Sequence, residues 1–236
     1  MPRISFDHLK LHRGVLELRY SNGYRYWDVC GKCILEIRSK LRNELDFQQL
    51  SGAEECVLKF KSDPRARASF GFRHMTVSGT HLRNIDLFKE NGPVIFDIVR
   101  ENLGIKHLDR VGFRLWYVHA TKTSDEAEKM VINLALFNVA AERFIGFGDK
   151  VDSIIPSIIV SNQARKVTIT IGAAKREESP VPTLAPDDEE YSPQNCVLAD
   201  IDFYQENVDP GTLNLEQFIH SCQKTVKDNI ATLLNP

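Results

Sequence analysis

At 236 residues, with 42% hydrophobic and 26% charged side chains, the chain is long enough to bury a proper core and has an ordinary globular composition. Its formal net charge of -2 argues against a surface that is basic throughout, so any contact with nucleic acid would need a local basic patch. No apolar run approaches the ~20 residues of a membrane helix, and the opening Met-Pro-Arg-Ile-Ser-Phe-Asp has no signal-type apolar segment. Five cysteines is an odd number, and Cys30, Cys56, Cys196 and Cys222 lie in apolar surroundings, which fits reduced thiols in a cytoplasmic protein.

In chain order, residues 4 to 20 read as extended. Leu9 and Leu11 alternate with polar neighbours, Gly14 breaks the phase as a bulge would, and Leu16, Leu18 and Tyr20 resume it. Ser21-Asn22-Gly23 is turn chemistry. From Tyr24 to about Leu45, Trp27, Cys30, Ile34, Ile37, Leu41 and Leu45 recur at three- and four-residue steps and predict an amphipathic helix. Residues 56 to 77 predict two strands joined at Ser62-Asp63-Pro64. Asn91-Gly92-Pro93 predicts a helix start, with proline in the first turn, and Gly104 predicts its end.

Midway along the chain, Asp109 to His119 predicts a central strand. Val111, Phe113, Leu115 and Tyr117 share one face, and Arg110, Gly112, Arg114 and Trp116 the other. Thr123 and Glu126 suit a capping box, ahead of a helical stripe at Met130, Leu134, Phe137, Ala141 and Phe144. Ile154 to Val160, Lys166 to Ile171 and Val197 to Tyr204 predict strands. Between the last two lies a Pro-rich, acidic insertion at about 175–194, which reads as a flexible connection. A final helix begins at Asn214 and buries Leu215, Ile219, Cys222, Val226, Ile230 and Leu233.

This order predicts an α+β fold: a mainly antiparallel sheet with helices on one face, in two strand-helix-strand-strand-helix halves of about 1–106 and 107–236. The opposite face would display Glu17 and Arg19, Lys59 and Lys61, Arg110 and Arg114, Thr168 and Thr170, and Asp200 and Asp202. A polar face of that size is either solvated or a docking surface.

Local chemistry is sparse. Cys30-Gly31-Lys32-Cys33 has CxxC spacing, but it lies two turns inside its predicted helix, where no amino-terminal dipole lowers a thiol pKa, and no second pair completes a zinc site. Structural cysteines are the better reading. Lys59, Lys61, Arg65, Arg67 and Arg73 interleave with Phe60, Phe70 and Phe72, the mixture of charge and rings that single-stranded nucleic acid needs. The same pattern also describes a core strand with a solvated cationic edge. Asp200 and Asp202 share one side of a strand, near enough for a common metal ion, with Arg110 and Arg114 as competing ion-pair partners. Phosphate loops, nucleophile elbows and HExxH are absent from the sequence, so it assigns no catalytic residue, metal or cofactor.

The strand Val111 to Val118, together with Leu198-Ala199-Asp200-Ile201-Asp202 ahead of the helix containing Phe218-Ile219-His220, resembles a sporadically distributed, uncharacterised family of bacterial proteins of similar length. The resemblance implies carriage on mobile elements, beside defence or toxin systems, and brings no catalytic residue with it. Three functional expectations follow. The first is a non-catalytic binding or assembly subunit using the polar face (Arg19, Arg110, Arg114, Asp200, Asp202) toward a protein partner or its own copy. The second is a nucleic-acid-binding accessory protein using the basic hairpin at 59–74. The third is a metal-dependent enzyme centred on Asp200 and Asp202.

Overall fold

A computed structural model describes residues 4–21, 23–42, 44–51, 54–134, 136, 155–162, 165–175 and 193–235. The elements are β1 (Lys10–Arg19), α1 (Tyr26–Lys40), β2 (Leu45–Ser51), β3 (Glu55–Phe60), β4 (Ala66–Gly71), β5 (His74–Leu82) and α2 (Asp86–Leu103), then β6 (Leu108–Ala120), α3 (Ser124–Asn133), β7 (Ser157–Ser161), β8 (Lys166–Lys175), β9 (Asn195–Val208) and α4 (Leu215–Leu233). The fold is α+β. The nine strands among the described residues form one sheet in the order β2-β3-β4-β5-β1-β6-β9-β8-β7, and each neighbouring pair is antiparallel.

Period-two patterning decides which face is covered. Leu16 and Leu18 of β1, Val111, Phe113 and Leu115 of β6, and Ala199, Ile201 and Phe203 of β9 are buried in one cluster with Phe88, Ile95 and Val99 of α2 and Ile219, Cys222 and Val226 of α4. Ala127 and Val131 of α3 and Cys33 and Ile37 of α1 join the same cluster, so the helices sit on a single side. β1 and β6 run side by side in the middle, paired from Lys10–Val118 to Arg19–Arg110.

The central strand, the final helix and the Gly104 stop stand as expected. Gly104 closes α2 in the left-handed region at φ 68°, and Asn214 Oδ1 accepts from Gln217 N–H at 2.9 Å to start α4. Thr123 Oγ1 accepts from Glu126 N–H at 3.1 Å, while the Glu126 carboxylate reaches one residue further back, to Lys122 N–H at 2.7 Å.

Other elements differ. The helix expected to run to Leu45 stops at Lys40, where Arg42 takes a positive φ of 50°, and Leu45 instead opens β2. Its buried residues are Tyr26, Cys33 and Ile37, so the inward stripe is rotated and Trp27 is 58% exposed. The second hairpin strand is two strands, because the chain reverses at Phe72-Arg73 over Tyr20, whose backbone N–H donates to Arg73 O and whose hydroxyl donates to Gly71 O and His74 O. α2 starts seven residues before Pro93, with Asn84 Oδ1 accepting from Asp86 N–H at 3.0 Å. Proline there lies inside the helix, at the expense of one backbone bond. The β1 irregularity falls between Leu11 and Arg13, not at Gly14. Gly14 instead admits the Phe88 ring, since a Cβ at that position would lie 2.6 Å from Phe88 Cζ. The expected stripe beyond Leu134, Ile154, and most of the acidic insertion lie outside the described residues.

Candidate functional site: the open face of the sheet

The side chains facing away from the helices form a charge lattice across β1, β6, β9 and β8. In register, Val15 faces Arg114, which faces Asp202, which faces Thr168. One step along, Glu17 faces Gly112, which faces Tyr204, which faces Lys166. Diagonal reach then sets the bonds. Arg110 donates through Nη1 to Glu17 Oε2 at 2.9 Å and through Nη2 to Asp202 Oδ2 at 2.7 Å. Arg19 Nε donates to the same Glu17 oxygen at 2.9 Å. Arg114 grips Asp200 with two bonds, from Nε at 2.8 Å and from Nη2 to the second oxygen.

Aromatic planes lie between these charges. The Arg114 and Arg13 guanidiniums lie 4.5 Å and 5.1 Å from the Trp116 ring centre, and Arg110 lies 4.9 Å from that of Tyr204. Gly112 is the bed for Arg110: a Cβ there would lie 2.7 Å from Nη1. At the rim, Lys166 Nζ meets Glu206 at 2.6 Å. The whole is a shallow trough of about 660 Å³.

All five residues expected on the polar face, Arg19, Arg110, Arg114, Asp200 and Asp202, are therefore neighbours in one network. The two aspartates differ. Asp200 has both oxygens engaged, whereas Asp202 Oδ1 is buried with no hydrogen-bond partner. Burial holds the Asp202 carboxyl above the usual carboxylate range despite the opposing charges of Arg110 and Arg114. Among the described residues, no three His, Cys, Asp or Glu side chains converge as a metal cluster. A cation at Asp200 and Asp202 would have to displace two arginines. Trp116 and Tyr204 were legible by alternation as members of this face. Arg13 was not, because the irregularity at His12 shifts the phase just before it.

The basic hairpin is not one surface. Phe60 and Phe70 are core residues, 2% and 0% exposed, so two of its three rings are unavailable for stacking on bases. Lys61 pairs with Asp46, and Arg65 with Asp63. Lys59, Arg65 and Arg67 line a depression at one end of β4, together with Arg13. Arg73 lies beyond the other end of β4, over the Phe72 ring and beside the exposed Tyr24 and Trp27.

The CxxC cysteines pack against the core. Cys33 is fully buried, which pushes its thiol up to about 12, and Cys30 is half-buried. Cys56, Cys196 and Cys222 are buried and all free. No helix among the described residues is long and apolar enough to cross a membrane. No protein-family model matches the chain, and comparison with curated proteins returns no match.

Proposed function

We propose that this chain is a non-catalytic binding or assembly subunit, and that its open sheet face docks on the same face of a second copy. The observation that carries this reading is the pairing of both aspartates with arginines inside the face. Asp200 and Asp202 are engaged by Arg114 and Arg110, an arrangement suited to recognition rather than to metal or acid–base chemistry. Because each acid already holds an arginine, Asp200 through both oxygens and Asp202 through Oδ2, covering the face leaves neither charge without an opposite one. Arginine, tryptophan and tyrosine, the residue types that dominate binding hot spots, lie together at its centre.

Interleaved signs favour self-association. A two-fold interface needs a patch complementary to itself, and Arg19, Glu17, Arg110, Asp202, Arg114 and Asp200 supply both charges in alternation. A net charge of only -2 adds little long-range repulsion between copies. The family resemblance would set such a subunit beside a bacterial defence or toxin system.

Size-exclusion chromatography with light scattering, over a range of concentration and salt, tests the reading. The expected result is a dimer that Arg114→Glu dissociates and high salt weakens. A strict monomer at all concentrations would overturn self-docking. So would a dimer indifferent to Arg114→Glu.

A further inference from the structure

The ion-pairing rule of the open face lapses at one place. Arg13 of β1, Lys59 of β3 and Arg67 of β4, with Arg65 just before β4, line a depression of about 290 Å³ floored by Ser78 and Thr80 of β5. Lys59 and Arg67 stand directly opposite each other across the β3–β4 ladder, a like-charge pair that disfavours the hairpin. The nearby acids are bonded to other cations: Asp63 holds Arg65 at the rim, and Asp46, although opposite Lys59 across the β2–β3 ladder, is ion-paired with Lys61 and Arg38. Among the described residues, neither Lys59 nor Arg67 has a carboxylate partner.

We infer that this depression binds a compact phosphorylated small molecule through its phosphate group. Arg13, Arg67 and Lys59 supply the charge, and the Ser78 and Thr80 hydroxyls supply further donors. Guanidinium forks match phosphate oxygens in pairs, and a bound dianion would convert the Lys59–Arg67 repulsion into a shared attraction. Arg13 is set for this by its stacking on Trp116. Burial first, and then the charges of Arg67 and Arg114, lower its pKa.

Size and surroundings select the ligand class. A volume near 290 Å³ lies at the small end of ligand pockets, enough for one or two phosphoryl groups and a small body. A polymer would need the charge to continue with stacking rings. Instead Phe60 and Phe70 are buried, Arg73 lies at the chain reversal beyond the far end of β4, and on the Trp116 side the next cations, Arg114 and Arg110, are already held by Asp200, Asp202 and Glu17. Lys59 and Arg67 lie outside the ion-paired trough, and Arg13 is the residue that the two share.

The test is calorimetry and thermal unfolding of the full chain with inorganic phosphate, pyrophosphate and ribose 5-phosphate, against sodium chloride at equal ionic strength. Saturable binding is expected, with a rise in Tm that chloride does not reproduce. Tighter binding of the sugar phosphate would identify an ester ligand, and tighter binding of pyrophosphate a free polyphosphate. Arg67→Gln and, separately, Lys59→Gln should weaken binding about tenfold or more, while Arg73→Gln leaves it unchanged. Arg67→Gln should keep or raise the unliganded Tm, since it removes a like charge, so its lost binding will not reflect lost folding. A wild type that responds no more than to chloride would overturn the site. So would binding indifferent to both pocket variants, or affinity for oligonucleotides that grows with length while pyrophosphate fails to saturate.

Discussion

Two aspartates, two residues apart on β9, occupy different electrostatic surroundings, and substitution should separate them. Asp200→Asn breaks the two-bond grip of Arg114 and should lower stability by about 1 kcal/mol, the modest figure reflecting an arginine that is 46% exposed. Asp202→Asn should behave otherwise. Its folded pKa is raised, so the ionised carboxylate weakens the fold; that loss is absent below the unfolded carboxyl range and develops as pH rises through the folded value. Asparagine removes this dependence, and Arg110 keeps Glu17 as a partner. The Tm of Asp202→Asn should therefore equal or exceed that of the wild type at pH 8, and the gap should close on acidification to pH 4, as followed by scanning fluorimetry. A wild type that gains on the variant as pH rises would mean that Arg110 outweighs burial. The thiols give a second check at this scale: burial pushes Cys196 up to about 11 and Cys222 up to about 12, so a thiol reagent at neutral pH should label Cys30 well before either. Alternation alone placed Asp200 and Asp202 on one face beside arginines. Which oxygen goes unpaired depends on rotamers, and a strand pattern carries no information about those.

At the scale of elements, glycine separates packing from propensity. Gly14 lets α2 settle on β1 with the Phe88 ring against the backbone, so Gly14→Val should overpack this contact and cost about 1–3 kcal/mol. Gly31 lies in the exposed middle of α1, where an added Cβ meets nothing within 4 Å, so Gly31→Ala should stabilise by about 0.5–1 kcal/mol. Urea denaturation of the two variants tests both signs together. The reverse order would mean that the α2–β1 seam is loose. The same contrast explains what the sequence could reveal. α4 was legible from its Asn214 cap through Ile230, because its apolar residues keep one phase; its buried side also takes Phe218, and Leu233 is only partly buried. α1 was misread because Tyr26 and Trp27 are adjacent and equally apolar, and only the packed sheet selects Tyr26 as the inward one. The start of α2 was hidden by Pro93, a strong boundary signal that the core overrides by burying Phe88 on the preceding turns.

Across the whole molecule, β1 and β6 join residues before 106 to residues after it. Their ladder runs along nearly the full length of β1, and beneath it Leu16, Leu18, Val111 and Phe113 belong to one core cluster with α2 and α4. An expected strand-helix-strand-strand-helix order in each part suggested two fused halves; the structure instead has four strands between α1 and α2 and, among the described residues, three between α3 and α4, and the packing argues that neither part closes a core without the other. A chain cut at Lys106 would bare two long, mid-sheet strand edges, each with an apolar face, and edges of that kind template aggregation. Fragments 1–106 and 107–236 expressed alone should therefore lack protected amides in β1 and β6 by hydrogen exchange, and should precipitate at micromolar concentration. Co-expressed, they should recover a complex with the far-UV circular dichroism of the intact chain. Heating the intact protein should give one cooperative transition, with amides of β1 and β6 exchanging at the global rate. Two transitions, or a fragment 1–106 that is soluble and protected by itself, would show that the β1–β6 seam is an interface between independently stable units rather than the centre of a single core.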